Sequence, residues 1–239
     1  MKDTIGIFDF LKNNPGISIT SIEETEITLT GKYELCSCMT GYGNVDENYE
    51  LEIKIPNSFP KGIPIVREIS NKIPRDYNHH INFTDDSLCL GSDIRIQTEI
   101  YNNPTLDGFM NKCIVPFLTA ATIKIKTENT EVFRGLAHGD RGLLDDYKDI
   151  FSVNTDEQVI QILKALGLRK RIANKLLCPC GCGKKLGNCK LHFVINKVRK
   201  INYRSWFKQL DKKLKLRPPS KIPKHQINKM INKLFKTQQ

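Results

Sequence analysis

Apolar residues in this chain recur every second position in its first third and every third or fourth position afterwards, and this change of period restricts the fold most. Tyr49-Glu50-Leu51-Glu52-Ile53-Lys54-Ile55 alternates apolar with charged side chains, as a strand with one wet face requires. Upstream, Thr20 to Leu29 is rich in β-branched residues and ends at Thr30-Gly31. Lys32 to Thr40 resumes the pattern, and Gly41-Tyr42-Gly43-Asn44 breaks it again. Pro56, Pro60 and Pro64 punctuate a turn, after which Ile63 to Ile69 supplies a fourth strand. Leu106, Phe109, Met110, Cys113, Ile114 and Phe117 then follow helical spacing, with Pro116 bending or ending that helix unless it starts a new one. Asp156 to Leu166 and Trp206 to Leu216 repeat the helical pattern. Strands first and helices later predict an α+β fold, an antiparallel four-stranded meander with helices packed to one side or end.

The 239 residues suffice for one sizeable domain and an appendage. No apolar run approaches the roughly 18 residues of a membrane span, and the charged N-terminus lacks the pattern of a secretory signal. The expected location is the cytoplasm, with no membrane partner. In that reducing compartment the eight cysteines are better read as thiols, nucleophiles or metal ligands than as disulfides. Cys36 and Cys38 share one face of a predicted strand and read as packing residues. The net charge of +11 is local: Phe193 to Gln239 holds fourteen Lys and Arg against Asp211 alone, which is +13 and leaves −2 for the rest. That tail is either a solvated basic face or a site for an acidic protein or nucleic acid.

Four of the eight cysteines fall between Cys178 and His192, in CPCGCGKKLGNCKLH. Such a concentration, interleaved with glycines that let the backbone turn tightly, points to a tetrahedral zinc site with thiolate and imidazole ligands. The string resembles the SEC-C motif, a zinc-binding tail module. On that resemblance Cys178, Cys180 and Cys189 match three ligand positions. Lys190 displaces the fourth, for which His192 is the choice, and Cys182 is either a spare thiol or a rival ligand. Four protein ligands leave no open coordination position, so the zinc is structural. The segment looks too poor in apolar residues to fold without it.

A second constellation lies in Asn78-His79-His80-Ile81-Asn82-Phe83-Thr84-Asp85-Asp86-Ser87-Leu88-Cys89-Leu90. Taken alone, a cysteine between two leucines is most often a small buried hydrophobe. Its surroundings point elsewhere. The strand YELEIKIP, the turn NSFPKGIP, the strand IVREIS, His80-x-Asn82 and a cysteine seven positions after that Asn resemble the ubiquitin-conjugating (UBC-like) enzyme family over roughly residues 15–125. The family's His-Pro-Asn has Ile81 at its centre here, and its Trp-Ser-Pro stretch appears as Asn103-Pro104-Thr105-Leu106, with Pro104 fifteen positions after Cys89.

The resemblance implies that Cys89 carries a ubiquitin-like modifier as a thioester, that Asn82 stabilises the oxyanion on transfer, and that His80 mainly shapes the loop. It implies as partners a modifier, an activating enzyme and an acceptor protein, as for bacterial members found in anti-phage defence operons. Asp85, Asp86 and Asp93 read as loop solvation. The expected domains are 1–150 conjugating, 151–177 helical linker, 178–192 zinc module and 193–239 basic helical tail. Phe133 to Gly142 reads as a glycine-rich connector. The alternative is a catalytically inactive UBC-like module that recruits a protein or nucleic acid through its zinc motif and tail. Retention of a cysteine in register with Asn82 argues against it.

Overall fold

A computed structural model describes residues 5–82, 84–128, 130–133 and 139–216. Arg134 to His138 of the connector, and the basic residues from Arg217 onward, lie outside the described residues. The chain is α+β. Helix α1 (Ile7–Asn13) precedes strands β1 (Ile17–Ile22), β2 (Glu26–Met39), β3 (Gly43–Pro56) and β4 (Ile65–Glu68). These form one antiparallel sheet in the order β1-β2-β3-β4.

The first turn differs from expectation. Thr30-Gly31 does not end a strand: β2 runs through it, and the reversal lies at residues 23–25. Gly31 is needed because β1 passes close by. A Cβ there would sit 2.1 Å from the Gly16 carbonyl oxygen, at a φ of 152°. The phase of β2 corrects a second expectation. Leu35 points inward, so Cys36 and Cys38 point out and are exposed, with Cys36 Sγ donating to Asp46 Oδ1 at 2.9 Å. Side-chain period two decides this, whatever the hydrophobicity of cysteine.

The inner sheet face, with Leu29, Leu51, Ile53 and Ile55, packs on helices α3 (Leu106–Phe109) and α4 (Val115–Thr127). A π-turn, Met110–Ile114, joins the two, and Pro116 sits in the first turn of α4. The wider turn accommodates a ring without an N–H that an uninterrupted α-helix would not. Two hydroxyl pairs peg helix to sheet, Tyr49 Oη with Thr122 Oγ1 and Ser37 Oγ with Thr119 Oγ1, both at 2.8 Å.

A second apolar cluster gathers α5 (Gly139–Phe151), α6 (Asp156–Gly167), α7 (Lys170–Ala173), the cysteine segment, α8 (Leu191–Ile201) and α9 (Arg204–Leu216). Thr155 and Gln158 close a reciprocal capping box at the start of α6. Arg199 of α8 donates to the carbonyls of Ala165, Leu166 and Leu168 at its end. Residues 151–177, the cysteine segment and 193–216 thus share one core.

Helix α2 (Asp93–Asn102) joins the two lobes. Ile96 and Ile100 face the sheet core while Ile94 enters the second cluster. Buried Asn202 donates to the Lys61 carbonyl at 2.8 Å and to Gln97 Oε1 at 3.2 Å, and Lys61 Nζ returns a bond to the Ile201 carbonyl at 3.0 Å.

Candidate functional site

The edge of β4 places Cys89. Leu88 N–H donates to the Val66 carbonyl at 2.8 Å, and Arg67 and Ser87 form a bridge, so the segment before the cysteine extends the sheet. It then folds back on residues 80–82 as a short hairpin. Ile81 pairs with Leu88, Asn82 N–H donates to the Ser87 carbonyl at 2.9 Å, and Cys89 N–H donates to the His80 carbonyl at 2.8 Å. Ile81, between His80 and Asn82, is buried in the sheet core.

His80 adopts a left-handed conformation, φ 56° and ψ 42°. Its buried ring lies 4.4 Å from that of Phe133, and the carbonyl of Asn78, two residues earlier, accepts from Lys124 Nζ. Asn82 is exposed. Its Nδ2 donates to Ser87 Oγ at 2.9 Å, which donates to Asp85 Oδ1 at 2.7 Å. One amide hydrogen of Asn82 is thus engaged in the hairpin, and an amide carries two. Asp85 orients Ser87 and so does more than solvate the loop.

Cys89 is half-buried in a cavity of about 540 Å³ that Asn82 also lines. Burial disfavours its thiolate and, with the Asp93 carboxylate, outweighs the bond from the Gly91 N–H, so its pKa is raised. Near neutral pH the group is a thiol that must lose its proton to react. The facing wall comes from the second lobe: Leu143, Asp146 and Tyr147 of α5, and Trp206, Leu210 and Lys213 of α9. Sequence reasoning missed this wall, since nothing local signals that α5 and α9 return to residue 89.

The second site is the cysteine segment. Leu177 pairs with Lys185, Leu186 N–H donates to the Leu176 carbonyl at 2.9 Å, and Cys178 N–H donates to that of Lys184 at 2.8 Å. Gly181 and Gly183, with φ of 80° and 72°, turn the tip. The sulfur atoms of Cys178, Cys180, Cys182 and Cys189 all lie within 4.8 Å of one another and can hold a metal ion. Cys178 and Cys180 are 3.2 Å apart and Cys180 and Cys189 3.6 Å. The Leu191 N–H and the neighbouring thiols hold the Cys189 thiol down to about 7, whereas burial pushes the Cys178 thiol up, so a metal bound here must displace protons from the cluster.

His192 stands outside this four-sulfur group. Its Nε2 lies 2.7 Å from Asn196 Nδ2, and Cys182 takes the place expected of it. The tip returns the Cys182 sulfur toward the others, whereas His192 is already on the first turn of α8. The segment is also better anchored than its composition suggests, because Cys178 and Leu186 are buried in the second cluster.

No helix among the described residues is long and apolar enough to cross a membrane. No family model matches this chain, and neither a curated protein nor a solved structure matches it.

Proposed function

We propose that this protein is a thioester carrier of ubiquitin-conjugating type. The observation that carries this reading is the placement of Cys89: half-buried in the large cavity, directly after a hairpin that holds Asn82 on the same cavity and packs against the sheet edge. In charging, the Cys89 thiolate attacks the thioester carbonyl of a modifier delivered by an activating enzyme. A new C–S bond forms, the old one breaks, and the departing thiolate takes up a proton. In transfer, an acceptor ammonium first releases a proton to water. Its nitrogen attacks the Cys89 thioester, a C–N bond forms, and Cys89 leaves as a thiolate that is reprotonated. Asn82 donates its free amide hydrogen to the oxyanion in between.

The cysteine segment holds a structural zinc on Cys178, Cys180, Cys182 and Cys189, a set with no place for substrate. None of the eight cysteines is paired in a disulfide, which fits a reducing compartment such as the cytoplasm.

A glycine-terminated peptide thioester of mercaptoethanesulfonate tests the carrier without the natural partners. Incubation should give an adduct on Cys89, detected by intact mass, reversed by thiol reductant and missing in Cys89→Ala. Asn82→Ala should still load, but discharge to an amine on the order of 10²–10³ more slowly. An adduct persisting in Cys89→Ala, or none on the wild type, would reject the reading.

A further inference from the structure

The helical lobe carries a charge imbalance that the chemistry at Cys89 does not use. From Gln158 in α6 to Leu210 in α9 the chain has thirteen Lys and Arg and no Asp or Glu. Arg199 spends its charge inside the lobe, on the carbonyls at the end of α6, and the other twelve are exposed. Among the described residues no ion pair involves any of the twelve. So one-sided a surface attracts an anionic partner.

Part of this basic surface is apolar and recessed. Leu176 and Leu177, at the entry to the cysteine hairpin, are 46% and 76% exposed. With Ala165 of α6 and the buried Pro179 and Leu186 they line a groove of about 200 Å³, and Lys164 of α6 lines it too. Leu177 pairs with Lys185 across the hairpin, so their side chains stand on one face. Exposed apolar surface with a polar rim is the form of an interaction site.

Charge and shape together select the occupant. Beyond Leu216 the sequence adds six Lys and Arg and no acid, so the chain's own tail is repelled. Nucleic acid would suit the cations, but the apolar lining is aliphatic and offers bases no ring to stack on. An anionic bilayer would meet Leu177 yet leave the recess empty. An acidic peptide bearing a large aliphatic side chain answers both features, with carboxylates for the lysines and an anchor for the groove.

We propose that the groove between α6 and the cysteine hairpin docks an acidic segment of a partner protein, its aliphatic anchor against Leu176 and Leu177 and its carboxylates on Lys164 and Lys185. No residue lines both this groove and the Cys89 cavity, so docking leaves the cysteine open. The hairpin then has a use beyond holding a metal, because it forms one wall of the groove.

The test uses the full chain and the fluorescence anisotropy of a labelled peptide of glutamates and alanines with two leucines four positions apart. Binding should saturate and should weaken with added NaCl. Leu177→Ser, at a side chain the fold leaves open, should weaken it about tenfold or more, the scale for one buried leucine, and so should replacing the peptide's leucines by alanine. Lys164→Glu should weaken it more than Lys197→Glu, which makes the same change in net charge outside the groove. Absence of saturable binding, equal affinity of wild type and Leu177→Ser, or equal loss in the two charge reversals overturns the site. Displacement of the peptide by oligodeoxythymidine or by phosphatidylserine vesicles, bound in a Leu177-dependent way, would overturn it in favour of nucleic acid or a membrane. Self-association lost in Leu177→Ser, read by sedimentation, would put a second copy of the chain in the groove instead.

Discussion

Replacing Cys182 and His192 one at a time separates two ligand sets for the metal. Tetrahedral thiolate zinc with bonds of about 2.3 Å places its sulfurs about 3.8 Å apart. The observed separations, 3.2 Å and 3.6 Å with none of the four beyond 4.8 Å, lie within about 1 Å of that edge. Small side-chain adjustments therefore complete the site with Cys182 included. Loss of even an outer-shell partner typically lowers metal affinity about 10–100-fold, so Cys182→Ser should cost at least about 100-fold and His192→Ala less than about tenfold. Chelator competition with metal analysis measures both, against one zinc per wild-type chain. Binding of this type supplies roughly 10–16 kcal/mol of apparent free energy, as much as the whole stability of an ordinary domain. Stripping the metal should thus loosen the second lobe, and the single tryptophan, Trp206, packs against that cluster and reports it by fluorescence. Loss of zinc in His192→Ala with retention in Cys182→Ser would refute the four-thiolate site.

Two further predictions concern the cavity. Burial and Asp93 raise the Cys89 pKa above the ordinary 9.0, so its alkylation should climb about tenfold per pH unit through pH 9 without levelling, and Asp93→Asn should speed it at pH 8. A plateau below pH 9 contradicts this. Truncation after Leu216 should leave Cys89 loading from the peptide thioester unchanged. Truncation before Phe193 removes Phe207 and Leu210, both buried in the second cluster, and strips a wall from the cavity. Each buried aromatic of this kind is worth about 3–5 kcal/mol on replacement by alanine, so the shorter chain should unfold at a lower temperature than the full chain, which calorimetry reads.

Sequence alone determined what depends on local period and local chemistry. Alternation over Tyr49 to Ile55 and helical spacing over Leu106 to Phe117 set the α+β class, because burying one face of a strand or helix requires those periods. The crowding of Cys178, Cys180, Cys182 and Cys189 was legible as a metal site, since ligands close in sequence need only a tight turn to meet. Which fourth ligand joins them was not, because a left-handed glycine turn returns Cys182 while the start of α8 carries His192 elsewhere. Gly31 read as a turn and proved to be a point of close backbone approach, a property of the neighbouring strand that its own neighbours in sequence do not encode. The face of Cys36 followed from the phase set by Leu35, which hydrophobicity scales ignore. The position of Cys89 after Asn82 was visible in the spacing, but the composition of its cavity was not. Asp146 and Trp206 reach it only because Ile94 on α2 buries itself in the second cluster and Asn202 bonds across to Lys61 and Gln97. Contacts between residues far apart in sequence depend on the docking of whole lobes, and that docking is decided by the summed burial of many side chains, with no local signature for any one of them.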